Sequence, residues 1–156
     1  LSDGIDVDTT KTATDELNGQ VLISGGKLLI DLGNADDVAG IKSRRNMFIT
    51  GGELQINGTG NGVKGIKSGA DLTVDASSGA APLIKIIVTV TTYQAGLLEE
   101  SKTRGIKVDG NFYFDGGDIQ ISAPGKKAKA VNVDGTYYYS SGTINAAVDA
   151  ANVVER

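Results

Sequence analysis

The sequence has no cysteine, no histidine and no tryptophan. The missing cysteine excludes disulfides, a thiolate zinc site and a thiol nucleophile. The missing histidine removes the commonest general base and the commonest metal ligand. Proline is nearly absent too, with 2 residues, and only 3 phenylalanines and 5 tyrosines supply aromatic mass. No apolar run is long enough to span a bilayer; the longest, 82–93, is interrupted by a lysine and several threonines. Positive charge is in deficit. The formal net charge is −4, which argues against broad nucleic-acid binding.

Glycine is plentiful instead, at 22 of 156 residues. Mixed with many Ile, Leu and Val, it points to short strands and tight turns rather than disorder. At this length one domain, 1–156, can bury its own core.

The tripeptide "GIK" occurs at 40–42, 65–67 and 105–107, with "AVN" at 130–132. Cutting before each gives units in register: "GIKSRRNMFITGGELQINGTGNGVK" (40–64), "GIKSGADLTVDASSG" (65–79), "GIKVDGNFYFDGGDIQISAPGKKAK" (105–129) and "AVNVDGTYYYSSGTINAAV" (130–148). An earlier unit starts "GIDVD" (4–8) and resumes at 18–31. Each unit holds short alternating runs separated by Gly, Asn or Asp, the pattern of strands and turns.

Alternation assigns faces, since strand side chains point to opposite sides with period two. Ile5, Ile41, Ile66, Ile106 and Val131 form one inward column, and Val7, Ser43, Ser68, Val108 and Val133 the next. Val21, Met47, Leu72, Phe112 and Tyr137 form another, beside Ile23, Ile49, Val74, Phe114 and Tyr139. A third run continues the core with Leu28 and Ile30, Leu54 and Ile56, Ile119 and Ile121, and Ile144 and Ala146. No unit buries its apolar face alone, but stacking buries them all. The expected fold is all-β: a right-handed single-stranded parallel β-helix, a solenoid of about five coils. A sandwich or barrel of short strands is the competing architecture. Glycine pairs at 25–26, 51–52 and 116–117, with "SG" at 78–79 and 141–142, mark corners that need positive φ. Asn46, Asp71 and Asn111 mark another corner, where short polar side chains bond to nearby backbone. Insertions near 9–18 and 80–104 break the period and project from one face, often the binding face in such stacks.

Two outward columns carry the candidate site. Lys42, Lys67 and Lys107 stack between Asp6 and Asn132. Adjacent strands lie ~4.8 Å apart, and like charges directly opposite repel. Either Asp8, Asp109 and Asp134, two residues further along, offset them, or an acidic ligand does. The second column is Leu22, Phe48, Thr73, Tyr113 and Tyr138. If wet, Phe48, Tyr113 and Tyr138 offer flat apolar faces for sugar rings. "NADD" gathers Asn34, Asp36 and Asp37 as candidate oxygen ligands for calcium. The glycine-rich "GTGNG" (58–62) lacks the Lys-Ser/Thr ending of a phosphate loop. No pair of carboxylates has a spacing that selects catalysis.

With "GIKS" followed by alternating runs and "GG" laid out, the chain resembles a bacterial family of surface and secreted carbohydrate-binding, pectate-lyase-like β-helix proteins. Residues 20–31, 40–75 and 105–145 carry the resemblance. It implies a right-handed parallel β-helix, a secreted or cell-surface location, binding of acidic polysaccharide such as polygalacturonate, and calcium along the helix. The chain departs from the pattern at "SGADLTVDASSGAAP" (68–82) and ends partway through a unit. A neighbouring domain of a longer chain, or a dimer contact, is expected at that open end. Function is expected to be non-catalytic polysaccharide binding. A polysaccharide lyase and an adhesive, protein-binding solenoid are the alternatives, because fold alone does not decide among them.

Overall fold

A computed structural model describes residues 2–10, 15–89 and 91–156. The protein is all-β. Its strands, in chain order, are β1 (Ile5–Val7), β2 (Val21–Asp31), β3 (Ala39–Ser43), β4 (Met47–Gly58), β5 (Lys64–Ser68), β6 (Leu72–Val74), β7 (Leu83–Val88), β8 (Arg104–Val108), β9 (Phe112–Ser122), β10 (Lys129–Asn145) and β11 (Val148–Glu155). They form one sheet, in the order β1-β3-β5-β8-β10-β9-β6-β4-β2, with β7 paired to β4 and β9 and β11 paired to β10. Every ladder between these strands is parallel. Among the described residues no helix is long and apolar enough to cross a membrane.

The register follows the sequence units. Ile5, Ile41, Ile66, Ile106, Val131 and Val148 are successive Cα partners. Val21, Met47, Leu72, Phe112 and Tyr137 are likewise, one strand segment later. The middle members of both columns are buried, whereas Ile5 and Val21 at the end of the stack are only half-buried. Burial of the apolar columns supplies the main stabilisation, at ~25 cal/mol per Å² removed from water.

The glycine that opens each "GI" unit has a steric reason. A Cβ at Gly65 would lie 2.6 Å from the Gly105 carbonyl oxygen and 2.5 Å from Ile86 Cγ2. Gly40 meets Gly65 O and Ile56 Cγ2 in the same way, both at 2.6 Å. These glycines stack where a neighbouring backbone and an inward isoleucine converge. The "GG" and "SG" corners behave as expected. Gly26, Gly52, Gly79, Gly117 and Gly142 all have positive φ.

Two expectations need correction. The corner side-chain oxygens do not accept from the backbone of their own unit. Asp71 N–H donates to Asn46 Oδ1 (3.2 Å), Asn111 N–H to Asp71 Oδ1 (2.8 Å) and Thr136 N–H to Asn111 Oδ1 (2.9 Å). Each side chain therefore caps the backbone of the next unit, forming a ladder between stacked corners. The second correction concerns the segment 80–104. Leu83–Val88 is β7, a regular strand between β4 and β9, with Ile84 and Ile86 fully buried. Among the described residues the true projection is 91–103. Drift at 68–82 hid the strand, because its run no longer followed a "GG" pair. Of the 9–18 insertion, residues 11–14 lie outside the described residues, and 16–19 form turns.

One inward position is imperfect. Tyr137 is 6 % exposed, and among the described residues its hydroxyl has no hydrogen-bond partner. Burial pushes its pKa up to about 12. A buried, unpaired hydroxyl costs ~1–3 kcal/mol of desolvation. Tyr137→Phe keeps the ring packed 5.3 Å from Phe112. It is expected to raise stability by about 1 kcal/mol, read as a higher urea midpoint at unchanged m-value.

Candidate functional site

The lysine column forms as the alternation dictates. Lys42, Lys67 and Lys107 are register partners, with Asp6 before them and Asn132 after. Their charges are not compensated equally. Lys42 Nζ lies 3.0 Å from Asp6 and 3.4 Å from Asp3, and the hydrogen bond to Asp6 leads the effects that raise its pKa. Lys107 Nζ lies 2.9 Å from Asp109 and 2.6 Å from Asp134. Asp8 is instead 3.9 Å from Arg44. Lys67 has no salt bridge or hydrogen bond from its ammonium among the described residues. The local cause is legible. Lys107 is followed two residues later by Asp109, whereas Lys67 is followed by Gly69. The middle lysine thus has a lysine on each side and no close ion pair among the described residues; Asp37, itself paired with Lys64, acts on it only at longer range.

A cavity of 460 Å³ opens over Lys67. Lys64, Lys67, Arg104 and Lys107 line its floor, and Leu98, Glu99, Glu100 and Lys102 belong to its wall. The wall is the 91–103 projection, closed as a small hairpin. Tyr93 N–H donates to Ser101 O (2.7 Å), and Ser101 N–H returns a bond to Tyr93 O (3.1 Å). Glu100 accepts from Gly96 N–H at 2.7 Å, which tightens the tip. The hairpin seats on Gly62, where a Cβ would lie 2.8 Å from Tyr93 Cβ and φ is +69°. The last glycine of "GTGNG" is therefore needed to dock the wall.

Lys64 and Arg104 were not expected at this site. They occupy one register row, two residues before the inward isoleucines, so strict alternation points them into the core. At the Gly65 and Gly105 corners alternation breaks, and both side chains reach the cavity. Lys64 Nζ donates to Asp37 (3.1 Å) and to Ser101 Oγ. Burial pushes its ammonium below the usual lysine range; Asp37 opposes that shift, and the charges of Lys67 and Arg104 add to it. Arg104 is only 7 % exposed. Its Nε donates to Asn132 Oδ1 (3.3 Å), and its Nη1 donates to the carbonyls of Thr103 (2.7 Å) and Lys127 (3.2 Å). These hydrogen-bond partners are neutral; burial lowers its pKa, and the charges of Asp149 and Asp134 oppose that shift. Two cations at the floor, Lys67 and Arg104, therefore lack a carboxylate ion pair among the described residues. A desolvated, planar guanidinium beside a free ammonium is a strong receptor for an oxyanion.

The aromatic column is a separate feature. Leu22, Phe48, Thr73, Tyr113 and Tyr138 are in register. Thr73 separates Phe48 from the tyrosines. Tyr113 and Tyr138 stack on one another with centroids 4.9 Å apart and planes 3° apart. The Arg156 guanidinium lies 5.0 Å from the Tyr138 centroid and 5.7 Å from that of Tyr113. It also approaches Asp115 at 3.6 Å. No aromatic residue lines the cavity over Lys67.

The residues of "NADD" are drawn apart by their partners. Asp36 Oδ1 accepts from Asn61 N–H (2.6 Å) and from Asn61 Nδ2 (3.2 Å), while Asp37 faces the Lys64 ammonium. Among the described residues no group of three or more acidic side chains is placed to hold a metal ion. An ammonium 3.1 Å from Asp37 opposes a second cation there. With Asp36 bonded to Asn61 and Asp37 to Lys64, both carboxylates are already engaged.

No curated protein and no solved structure matches the chain. A family pattern does match, over residues 1–151. On that match the chain belongs to the family of carbohydrate-binding domain-containing proteins.

Proposed function

We propose that the protein binds acidic polysaccharide without cleaving it, outside the cell, on the face of a right-handed parallel β-helix of about five coils. One observation carries this reading. Lys67 stands uncompensated between two lysines, on the floor of a cavity it shares with a buried arginine. Like charges held opposite in a sheet are unfavourable, and an anionic ligand removes the penalty. Family membership supplies the chemical class of ligand, and the charge of the floor selects its acidic members. Residues Lys42 and Lys107 act here as flanking charges, each held by aspartates. Tyr113, Tyr138 and Phe48 offer an additional apolar strip for sugar C–H groups.

The test is retention on immobilised acidic and neutral polysaccharides, with calcium and with chelator, while ultraviolet absorbance is followed for unsaturated products. The expected result is retention on acidic glycans, weakened by Lys107→Ala and Tyr113→Ala, with no rise in absorbance. A rise would establish a lyase. Retention lost with chelator would assign calcium to the site, and retention unchanged would leave the cations alone to hold the glycan. No retention on any glycan would leave a protein-binding solenoid.

The same geometry fixes a pH dependence. Burial holds the Lys64 ammonium below the ordinary lysine value of 10.5. Affinity for an acidic glycan is therefore expected to fall on the alkaline side before unshifted lysines would lose their charge. A titration of affinity between neutral pH and pH 11 checks the direction.

A further inference from the structure

The acidic-glycan reading leaves open whether the ligand is a polyanion or bears isolated acids, and the distribution of carboxylates around the cavity answers that. Five basic and three acidic side chains line it, a surplus of two, on a chain whose formal charge is −4. Of the five cations, Lys64, Lys102 and Lys107 have carboxylate ion pairs, whereas Lys67 and Arg104 have none among the described residues. Along the lysine column in one direction lies Lys42, already held by Asp3 and Asp6. In the other direction lie Lys107, held by Asp109 and Asp134, and then Asn132 and Asp149. The hairpin wall of the cavity carries Glu99 and Glu100. Carboxylates thus border the uncompensated cations on three sides.

Register neighbours along this column are one strand spacing apart, ~4.8 Å. A polyuronate lying along it would bring its second and third carboxylates over Lys42 and Lys107, each already outnumbered by two aspartates. From this charge pattern, we infer that the cavity accepts one anionic group at a time, from a glycan in which isolated acidic residues are set among neutral sugars. Hydroxyl-rich neighbours of that residue meet the bordering carboxylates as hydrogen-bond donors, whereas a second acid meets them as a like charge. Specificity then comes from the repelling border as much as from the attracting floor. This rests on the acidic-glycan reading.

The experiment measures affinity by calorimetry at several salt concentrations for three probes: xylohexaose, xylohexaose carrying one glucuronate branch, and hexagalacturonate. Lys67→Gln is measured alongside, with its circular dichroism and melting curve as the check on folding. The expected result is tightest binding of the singly branched probe. Its affinity should fall with salt as the release of about one ion requires, and hexagalacturonate should show no steeper slope. Lys67→Gln should lose the preference over plain xylohexaose. Tighter binding of hexagalacturonate, with a salt slope that grows with its number of acids, would overturn the one-anion inference and leave acidic-polysaccharide binding intact. Equal binding of plain xylohexaose, or no binding of either acidic probe, would overturn both. So would acidic-probe binding unaltered in a folded Lys67→Gln protein.

Discussion

Lys67→Gln is expected to lower affinity for an acidic glycan by tenfold or more and, without ligand, to raise the melting temperature. The two effects share one cause. The Lys67 ammonium has a lysine in register on each side and no carboxylate partner among the described residues. Opposed like charges on neighbouring strands cost roughly 0.2–1 kcal/mol. Glutamine keeps most of the side chain's length and packing but removes the charge. Relief of that repulsion amounts to ~2 °C for a chain of this size. Affinity moves the other way, because a charge-assisted bond to a partly desolvated oxyanion is lost; tenfold corresponds to about 1.4 kcal/mol. Lys42→Gln makes the contrast. It strips Asp3 and Asp6 of their cation, so its melting temperature should fall or stay level. Parallel melting and binding curves for the two variants check the argument. A lower melting temperature for Lys67→Gln would show that its charge has a protein partner after all.

Gly65→Ala is expected to be strongly destabilising. The added carbon would sit 2.6 Å from the Gly105 carbonyl oxygen, an atom fixed by the backbone of the next strand, and 2.5 Å from Ile86 Cγ2. Neither neighbour can swing away as the tip of a flexible side chain would. The strand must shift, which strains the β5–β8 ladder and displaces Lys64 and Lys67 together. Overpacking of this kind costs ~1–3 kcal/mol. At the upper end that lowers the melting temperature by roughly 6–12 °C. Gly25→Ala provides the control, since nothing lies within 4 Å of its added Cβ and its φ is not in the left-handed region. Its effect should stay within about 1 kcal/mol. Denaturant curves for the two variants decide the matter, and similar midpoints would mean that the glycine column is not sterically required.

Much of this architecture was legible because parallel pairing repeats one environment at each level. The "GIK" spacing identified strands that pair in register, and alternation placed Ile41, Ile66 and Ile106 inside and Lys42, Lys67 and Lys107 outside. Corner glycines followed from the need for positive φ. Strand β7 was hidden because the drifted segment before it broke the spacing, although "LIKIIV" carries its own alternation.

The site divides along the same line. By itself the sequence determined that three lysines share a column, and that only Lys67 of them has a glycine where Lys107 has an aspartate. Those are properties of local period and spacing. Only the tertiary structure decided that Lys64 and Arg104 join Lys67. Their positions have the parity of core residues, and their direction is set by the corner, not by the strand. It also decided that the 91–103 hairpin docks on Gly62 and walls the cavity. Asp36 and Asp37, adjacent in sequence, are drawn to different partners, Asn61 and Lys64, which lie about 25 residues away. Adjacency along the chain is a poor guide to a charged site. Charges act over a few ångströms of space, and stacking brings residues one full unit apart closer than most residues within a unit.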